Sequence, residues 1–261
     1  MNQVTISNLM MQIKHNDLSV DLVRHLVLNS IRSYRTKFSN DYGELILCYD
    51  DKHYWRREYF PNYKSNRKKD RTDSSLNWNE LFETLNLIRD EIKEVFPYQV
   101  LQVDGAEADD IIATIVDCVS KTPTLFEKIL ILSGDKDFIQ LQVHNNVQQY
   151  SPTLKKYVNG KNPDDYKIEH IFKGDRGDGI PNILSPDNTF TDGLRQRPLG
   201  KKKIDDWKQV GTWPIDSWND ELKRNFQRNS KLIDLSLIPD EIKNNIYTVS
   251  YTHLTLPTTG V

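Results

Sequence analysis

The chain has 261 residues, 37% of them hydrophobic and 28% charged, enough to bury a core as one large domain or a main domain with an appendage. No run approaches the ~20 apolar residues of a membrane helix, and MNQVTISNLMMQIKHN lacks the basic start and small-residue cleavage site of a secretory signal, so a cytoplasmic protein without membrane partners is expected. The net charge of -2 says little as a total because its distribution is lopsided.

In chain order, the apolar residues Val20, Val23, Val27, Ile31 and Tyr34 recur at helical spacing after Asp17 or Ser19 as a cap. ELILCYD reads as a short buried strand from Leu45 to Tyr49, with Asp50 at its carboxyl end. Residues 51–75 are polar, basic and weakly periodic, which predicts a long loop or loosely helical insertion. NWNELFETLNLIRDEIKEVF returns to helical spacing, and Pro97 stops it. YQVLQV predicts a strand, AEADDIIATIVDCVS a helix, KILILS a strand and VQQY a further strand. Apolar strands separated by helices imply an α/β fold with a mostly parallel central sheet covered on both faces. From Pro163 the pattern turns helical and loopy, as in a smaller C-terminal subdomain.

Cys48 and Cys118 sit far apart in apolar segments and read as buried thiols, and the six histidines show no spacing that suits zinc. Between Lys52 and Arg71 eight basic residues, Lys68, Lys69 and Arg71 among them, are interleaved with Tyr54, Trp55, Tyr59, Phe60 and Tyr63. A second cluster, Arg195, Arg197, Lys201, Lys202 and Lys203, contains no acid. Basic stretches with aromatics suit a phosphate backbone and unstacked bases; a solvated charged face is the other reading, and composition does not choose between them.

Ligands of an open α/β sheet sit outside the carboxyl ends of its strands. Asp50 ends the first strand, DGAEADD (Asp104, Glu107, Asp109, Asp110) follows the second, and GDKD (Asp135, Asp137) follows the third, so three acidic groups point to one edge. Asp135 and Asp137 face the same way if the chain there is extended. Glu107 and Asp109 converge only if the helix starts near Ala108, which is the start expected. KGDRGDG adds Asp175 and Asp178. Carboxylates ~4 Å apart repel by about 1 kcal/mol in water and on the order of 4 kcal/mol at an effective dielectric of 20, so the cluster calls for cations. Oxygen-only ligands suit Mg²⁺ or Mn²⁺, and a two-metal site implies hydrolytic phosphoryl transfer. Each acid taken singly also reads as a surface charge or as a helix N-terminal residue favoured by the dipole, most readily Asp104 and Asp110. Gly193 and Gly200 before Lys201 are too far apart for a phosphate-binding loop, and DRGDGIPNILSP lacks the acids of a calcium hand.

The order ILCYD, YWRREYFPNYKSNRK, EADDIIA, SGDKDFIQL and KGDRGDGIPN resembles the flap endonuclease family of 5′ nucleases, most closely its ribonuclease H branch of T-even bacteriophages, from about Gln3 to Ile246. The resemblance implies a PIN-like core over residues 1–160 with a basic arch at about 51–75, and a helical C-terminal subdomain over 161–246 with a helix-turn-helix DNA-binding region. It further implies a monomeric 5′ to 3′ exonuclease in a bacterial host cytoplasm. Such an enzyme removes RNA primers in replication, cutting RNA·DNA hybrids, duplex DNA and flaps with two Mg²⁺ ions, for which Mn²⁺ can substitute. A single-stranded DNA-binding protein and a sliding clamp are the implied partners.

Carried over residue by residue, Asp50, Glu107 and Asp109 resemble ligands of the first metal or its waters. Asp135, Asp137 and Asp178 resemble the second-metal group, with Asp110 and Asp175 nearby or in its outer sphere. Lys64 and Arg67 are similar to residues that hold the scissile phosphate, Tyr63 to one that stacks on a base, and Lys201, Lys202 and Lys203 to the grip on duplex phosphates. The family opens with a buried strand ending in a metal-binding Asp, and MNQVTIS starts just past it, so that strand is expected to be missing. An incomplete metal site would make the chain a binder of branched DNA that does not cut. Residues 247–261, Thr-rich and Pro-broken, are expected to have no helical period and to be a tail foreign to the native protein.

Overall fold

A computed structural model describes residues 19–67, 77–122, 127–160 and 162–255, with side chains to 251. The described residues open with helix α1 (Val20–Tyr42), capped by Ser19, whose hydroxyl accepts the Leu22 N–H at 3.2 Å. Val23, Val27, Ile31 and Phe38 form its buried face, close to the face expected, with Val20 left exposed. Strand β1 (Ile46–Cys48) follows, then the short helix α2 (Trp55–Tyr59) and helix α3 (Trp78–Val95), which is capped by Asn77 and ends at Phe96 ahead of Pro97. Strand β2 (Gln99–Leu101) leads into helix α4 (Ala108–Lys121), which starts at the residue expected. Strand β3 (Ile129–Leu132), a 3₁₀ helix (Lys136–Val143) and strands β4 (Val147–Ser151) and β5 (Lys156–Tyr157) complete the α/β part. Helices α5 (Pro163–Lys173), α6 (Lys201–Val210), α7 (Asp220–Ile233) and α8 (Asp240–Thr255) make up the rest. None of the described helices is long and apolar enough to cross a membrane.

The single central sheet expected is, among the described residues, two small ones. β1 pairs with β2 in parallel, and separately β3 pairs with β4 in parallel while β5 adds an antiparallel edge. The two sheets still share one apolar cluster, in which Cys48 and Leu101 meet Ile131 and Val147 around Ile111 of α4. Packing is therefore continuous where hydrogen bonding is not, and the parallel pairs keep the carboxyl ends of β1, β2 and β3 available for loops that carry acids.

The C-terminal helices do not form an isolated core. Leu235, Ile238, Ile242 and Ile246 join the α4 cluster, while Phe60 and Tyr63 join Ile168, Phe172, Ile204 and Phe226 in a second cluster. Of the two readings of residues 51–75, a long loop or a loosely helical insertion, the described part fits the second, with α2 at Trp55–Tyr59, and the second cluster shows that it is packed. Trp55, Phe60 and Tyr63 are all under a tenth exposed, so aromatic burial folds the segment against the C-terminal helices despite its weak period. Lys68, Lys69 and Arg71 of the basic stretch lie outside the described residues.

The lack of helical period expected beyond Ile246 is also corrected, because α8 runs on to Thr255. Ile246 is fully buried and Ser250, four residues on, is 5% exposed. Burying one such Ile side chain is worth ~1.5–3 kcal/mol, and the following turn then extends an existing helix at little cost. Residues 256–261 and the N-terminal 1–18, with Asp17, lie outside the described residues. Neither cysteine forms a disulfide, and Cys48 is buried as expected, where desolvation pushes its thiol up to about 12.

Candidate metal centre and active site

The acids converge because each ends a strand or begins a helix at the same edge. Asp50, two residues past Cys48 at the end of β1, accepts the Ala108 N–H at 2.8 Å and so adds a further acid to the N-terminus of α4, beside Glu107, Asp109 and Asp110. Glu107 is the N-cap residue of α4, and Asp110 reaches back to accept the Glu107 N–H at 3.0 Å, the reciprocal half of a capping box. Glu107 thus lies in the approach turn as expected, with Asp109 in the first helical turn.

Asp135 and Asp137 reach the same cleft by a different route from the one expected. The chain is not extended there: Asp135 caps the 3₁₀ helix, its Oδ1 accepting the Asp137 N–H at 3.0 Å. Capping outcompetes extension because a short acid before a helical turn satisfies an otherwise orphaned N–H. Both carboxylates line a cleft of about 400 Å³ with Gly134, Tyr166, His170 and Asp175. A narrow cavity behind it is bounded by Asp109, Asp137, Asp175 and Asp178, so the acids of three loops share one space.

Their electrostatics record the crowding. Burial, together with Asp135, Glu107 and Asp50, holds the Asp109 carboxyl well above the usual carboxylate range, against the opposing pull of Lys64. Asp135 is likewise raised, by burial and then by Asp137, with Asp178 and Asp175 adding to it. Carboxylates that resist ionisation because of burial and of one another are groups a divalent cation would relieve. Asp50, Asp109, Asp135 and Asp137 present a hard oxygen donor set of the kind Mg²⁺ and Mn²⁺ take, so the residues present fit such ions.

Other acids are already engaged. Arg56, 2% exposed, pairs through Nη1 with Glu107 Oε2 at 2.9 Å and through Nη2 with Asp110 Oδ1 at 2.7 Å, and its Nε donates to the Leu232 carbonyl at 3.0 Å. Asp110 is fully buried and also accepts the Trp55 indole N–H at 3.1 Å. Its place among the metal residues is therefore corrected: Arg56, Trp55 and the Glu107 N–H take up its oxygens, and it holds the helix start instead. Glu107 also pairs with Lys64 Nζ at 2.6 Å.

Lys64 and Arg67 stand beside the acids. Lys64 Nζ lies 3.7 Å from Asp178 Oδ2, Arg67 pairs with Asp178 Oδ1, and the Tyr63 hydroxyl donates to Asp178 Oδ2 at 2.9 Å. Burial disfavours the Lys64 charge, yet Asp178 and Glu107 more than offset it and its proton affinity is raised. Lys64 takes a positive φ of 56°, and its N–H donates to the Asp178 carbonyl at 2.7 Å. A side chain in that region is uncommon and is held there by its surroundings, here the interlocked 62–67 and 175–179 loops. Tyr63 is corrected as a stacking residue, because its ring is 3% exposed and turned into the protein. Lys201, Lys202 and Lys203 form the exposed first turn of α6, with Lys203 Nζ 5.1 Å from the Trp207 ring.

Three participants escape a reading of the sequence. Arg56 lies within the basic stretch but serves the interior. Tyr166 and His170, one turn apart on α5, line the cleft with their ring centroids 5.7 Å apart. His170 Nδ1 lies 3.2 Å from Asp137 Oδ1 and Nε2 lies 3.4 Å from Asp175 Oδ2. Burial works against charging this ring, but the two carboxylates lift it to about 10, and pairing with His170 in turn holds Asp175 below the usual range. The histidine spacing, which does not suit zinc, gave no sign of this placement, and the usable signal was a titratable residue one helical turn before KGDRGD.

Comparison with known proteins agrees with this geometry. Residues 10–171 match the family model described as 5′-3′ exonuclease, N-terminal resolvase-like domain. The chain is 35% identical over 272 aligned residues to the ribonuclease H of Enterobacteria phage T4, covering 99% of this chain and 87% of that protein. It is 29% identical to the flap endonuclease Xni of Shewanella sp. (strain MR-4) over about half of each, 49% of this chain and 48% of that one. Among solved structures, the bacteriophage T5 flap endonuclease in a pseudo-enzyme-product complex with DNA and metal ions has the same fold at 20% identity, with a TM-score of 0.66 and coverage of 95% of both chains. The same phage protein co-crystallized with metal ions matches with a TM-score of 0.67 at 18% identity, covering 91% of this chain and 92% of that one. With its acids gathered at the strand ends and the family model spanning well over half its length, the chain belongs to the 5′-3′ exonuclease family.

Proposed function

We propose that the protein is a Mg²⁺-dependent 5′ nuclease that hydrolyses phosphodiesters from the 5′ end of RNA·DNA hybrids and of duplex or flap DNA, the chemistry of primer removal. The observation that carries this reading is the convergence of Asp109, Asp135, Asp137 and Asp175 on two adjoining cavities that share Asp137 and Asp175, with Asp50 near enough to raise Asp109 and with Lys64 and Arg67 paired to the neighbouring Asp178. Asp50 and Asp109 would hold a first ion, Asp137 with Asp178 a second, and Asp135 would stand between them, with Asp175 nearby. Such a pair of ions, about 4 Å apart, supplies an activated water and stabilises the leaving oxygen. Mn²⁺, with the same oxygen preference, would substitute.

The chain's own part is positioning. Glu107, fixed by Arg56 and Lys64, sets the first turn of α4 and with it Asp109. Lys64 and Arg67, now paired with Asp178, would exchange that carboxylate for the scissile phosphate, which offers the same kind of bidentate acceptor to a guanidinium. Lys201, Lys202 and Lys203, at the N-terminus of α6 in the region proposed as helix-turn-helix, combine side-chain charge with free helical N–H groups for duplex phosphates.

The test is Mg²⁺-dependent release of short products from the 5′ end of a labelled RNA·DNA hybrid, with a chelator control and the variants Asp109→Ala and Asp135→Ala. Cleavage by the wild type, lost in both variants while branched DNA still binds, is the expected result. Unchanged cleavage in either variant removes the metal assignment, and binding without any cleavage by the wild type makes the protein a binder of branched DNA.

A further inference from the structure

The cleft contains one donor that an all-carboxylate site does not have. Asp137, His170 and Asp175 each offer one ligand atom, and these atoms lie within 4.8 Å of one another. His170 is delivered by α5, and Gly174 at φ 67° turns the chain back after it so that Asp175 returns to the ring. Asp175 Oδ1 accepts the Gly177 and Asp178 N–H groups at 2.7 and 3.2 Å, which leaves Oδ2 facing His170 Nε2 at 3.4 Å. Nδ1 lies 3.2 Å from Asp137 Oδ1, yet it is buried and forms no hydrogen bond.

A ring nitrogen buried 3.2 Å from a carboxylate oxygen, out of line for a good hydrogen bond, is placed so that, once deprotonated, the two could serve as ligands of one ion. Bonds of ~2.0–2.2 Å set neighbouring ligand atoms about 3 Å apart, close to the separation seen at Nδ1. The other nitrogen, turned to a carboxylate held by backbone N–H groups, matches the way ligating histidines are oriented through their second nitrogen. Tyr166, one turn earlier, lies beside the ring, tilted by 59° to it.

We propose that His170 ligates, through Nδ1, the ion held by Asp137, with Asp175 orienting the ring, so that this position favours a borderline transition-metal ion such as Zn²⁺ or Mn²⁺ over Mg²⁺. The proposal rests on the two-metal reading above and adds a nitrogen ligand to it. Imidazole adds affinity for transition ions that a carboxylate or water would not, while Mg²⁺ gains little from it.

The first measurement is pulsed electron paramagnetic resonance on the wild-type protein loaded with Mn²⁺. Nitrogen-14 modulation from a directly bound imidazole is expected, and its absence overturns the proposal without recourse to any variant. Calorimetric titration of wild type, His170→Gln and His170→Asp with Zn²⁺ and with Mg²⁺ follows. Zn²⁺ affinity should fall by at least about tenfold in both variants, with Mg²⁺ affinity within about twofold in His170→Asp. Equal losses for both ions, or no loss, overturn it. Mg²⁺-supported cleavage of the hybrid by the wild type, combined with no nitrogen signal, refutes this proposal while the nuclease reading stands. A wild type that binds neither ion refutes both.

Discussion

Replacing Arg56 by Met tests whether the acidic edge depends on one interior cation. Met keeps much of the volume of the arginine stem, so the perturbation is chiefly electrostatic. Glu107 and Asp110, 3% and 0% exposed, lose their common partner, and the Leu232 carbonyl loses its donor. Removing one side of a buried ion pair costs ~3–5 kcal/mol. Lys64 and the Tyr63 hydroxyl remain beside Glu107, and the Trp55 indole and Glu107 N–H remain on Asp110, which places the loss near the lower end of that range. The abandoned carbonyl adds about 1 kcal/mol. The expected destabilisation is therefore about 4 kcal/mol, or roughly 8–16 °C in Tm for a chain of this size. Thermal unfolding of metal-free protein followed by circular dichroism measures it, and Asp110→Asn in the Arg56→Met background should recover about half of the loss. A single variant within ~1 kcal/mol of wild type, or a double variant no more stable than the single one, would refute the role given to Arg56.

Asp135→Asn should lower Mg²⁺-dependent cleavage by at least about a hundredfold while raising the Tm of the metal-free protein, since it removes one of the mutually repelling carboxylates; a lowered Tm would show that Asp135 is held for stability instead. Asp109 and Asp135 keep their protons to higher pH in the native state than in the unfolded chain. The metal-free native state therefore loses stability as pH rises above the ordinary carboxylate range, and the Tm gain from added Mg²⁺ grows over the same rise. A gain that is the same at pH 5 and pH 8 would contradict this. Lys64→Ala should slow single-turnover cleavage more than it weakens binding of a labelled hybrid, and equal losses would reduce Lys64 to a general phosphate contact. Gly174→Ala places a Cβ 2.5 Å from the Pro181 carbonyl oxygen at a positive φ. It should cost on the order of 1–3 kcal/mol and disturb Asp175 and Asp178, read out as lower Tm and weaker metal binding together; unchanged values for both would count against the 174–178 turn as a support of the cleft.

The elements were legible in the sequence wherever a local signal sufficed. Period and caps gave α1, α3 and α4, the last with its start at Ala108, because N-terminal acids and an apolar stripe are written within a dozen residues. The strand-end placement of Asp50, the 107–110 acids and the 135–137 acids could be read for the same reason, since a parallel αβ order fixes which end of each strand carries the loop. Tertiary structure decided the rest. It buried Tyr63 and Arg56 out of a stretch that reads as basic surface, because whether a mixed aromatic and basic segment packs or dissolves depends on α5 (Pro163–Lys173) and α7 (Asp220–Ile233), supplied from about a hundred residues away or more. It made Asp135 a cap where extension was expected, split the described strands into two sheets and carried α8 on to Thr255. It also set His170 between Asp137 and Asp175, a contact across more than thirty residues on one side that no local period encodes. Local sequence chose which residues carry charge and where helices begin; only the packing of distant segments decided which charges were left open to a metal and which were neutralised from within.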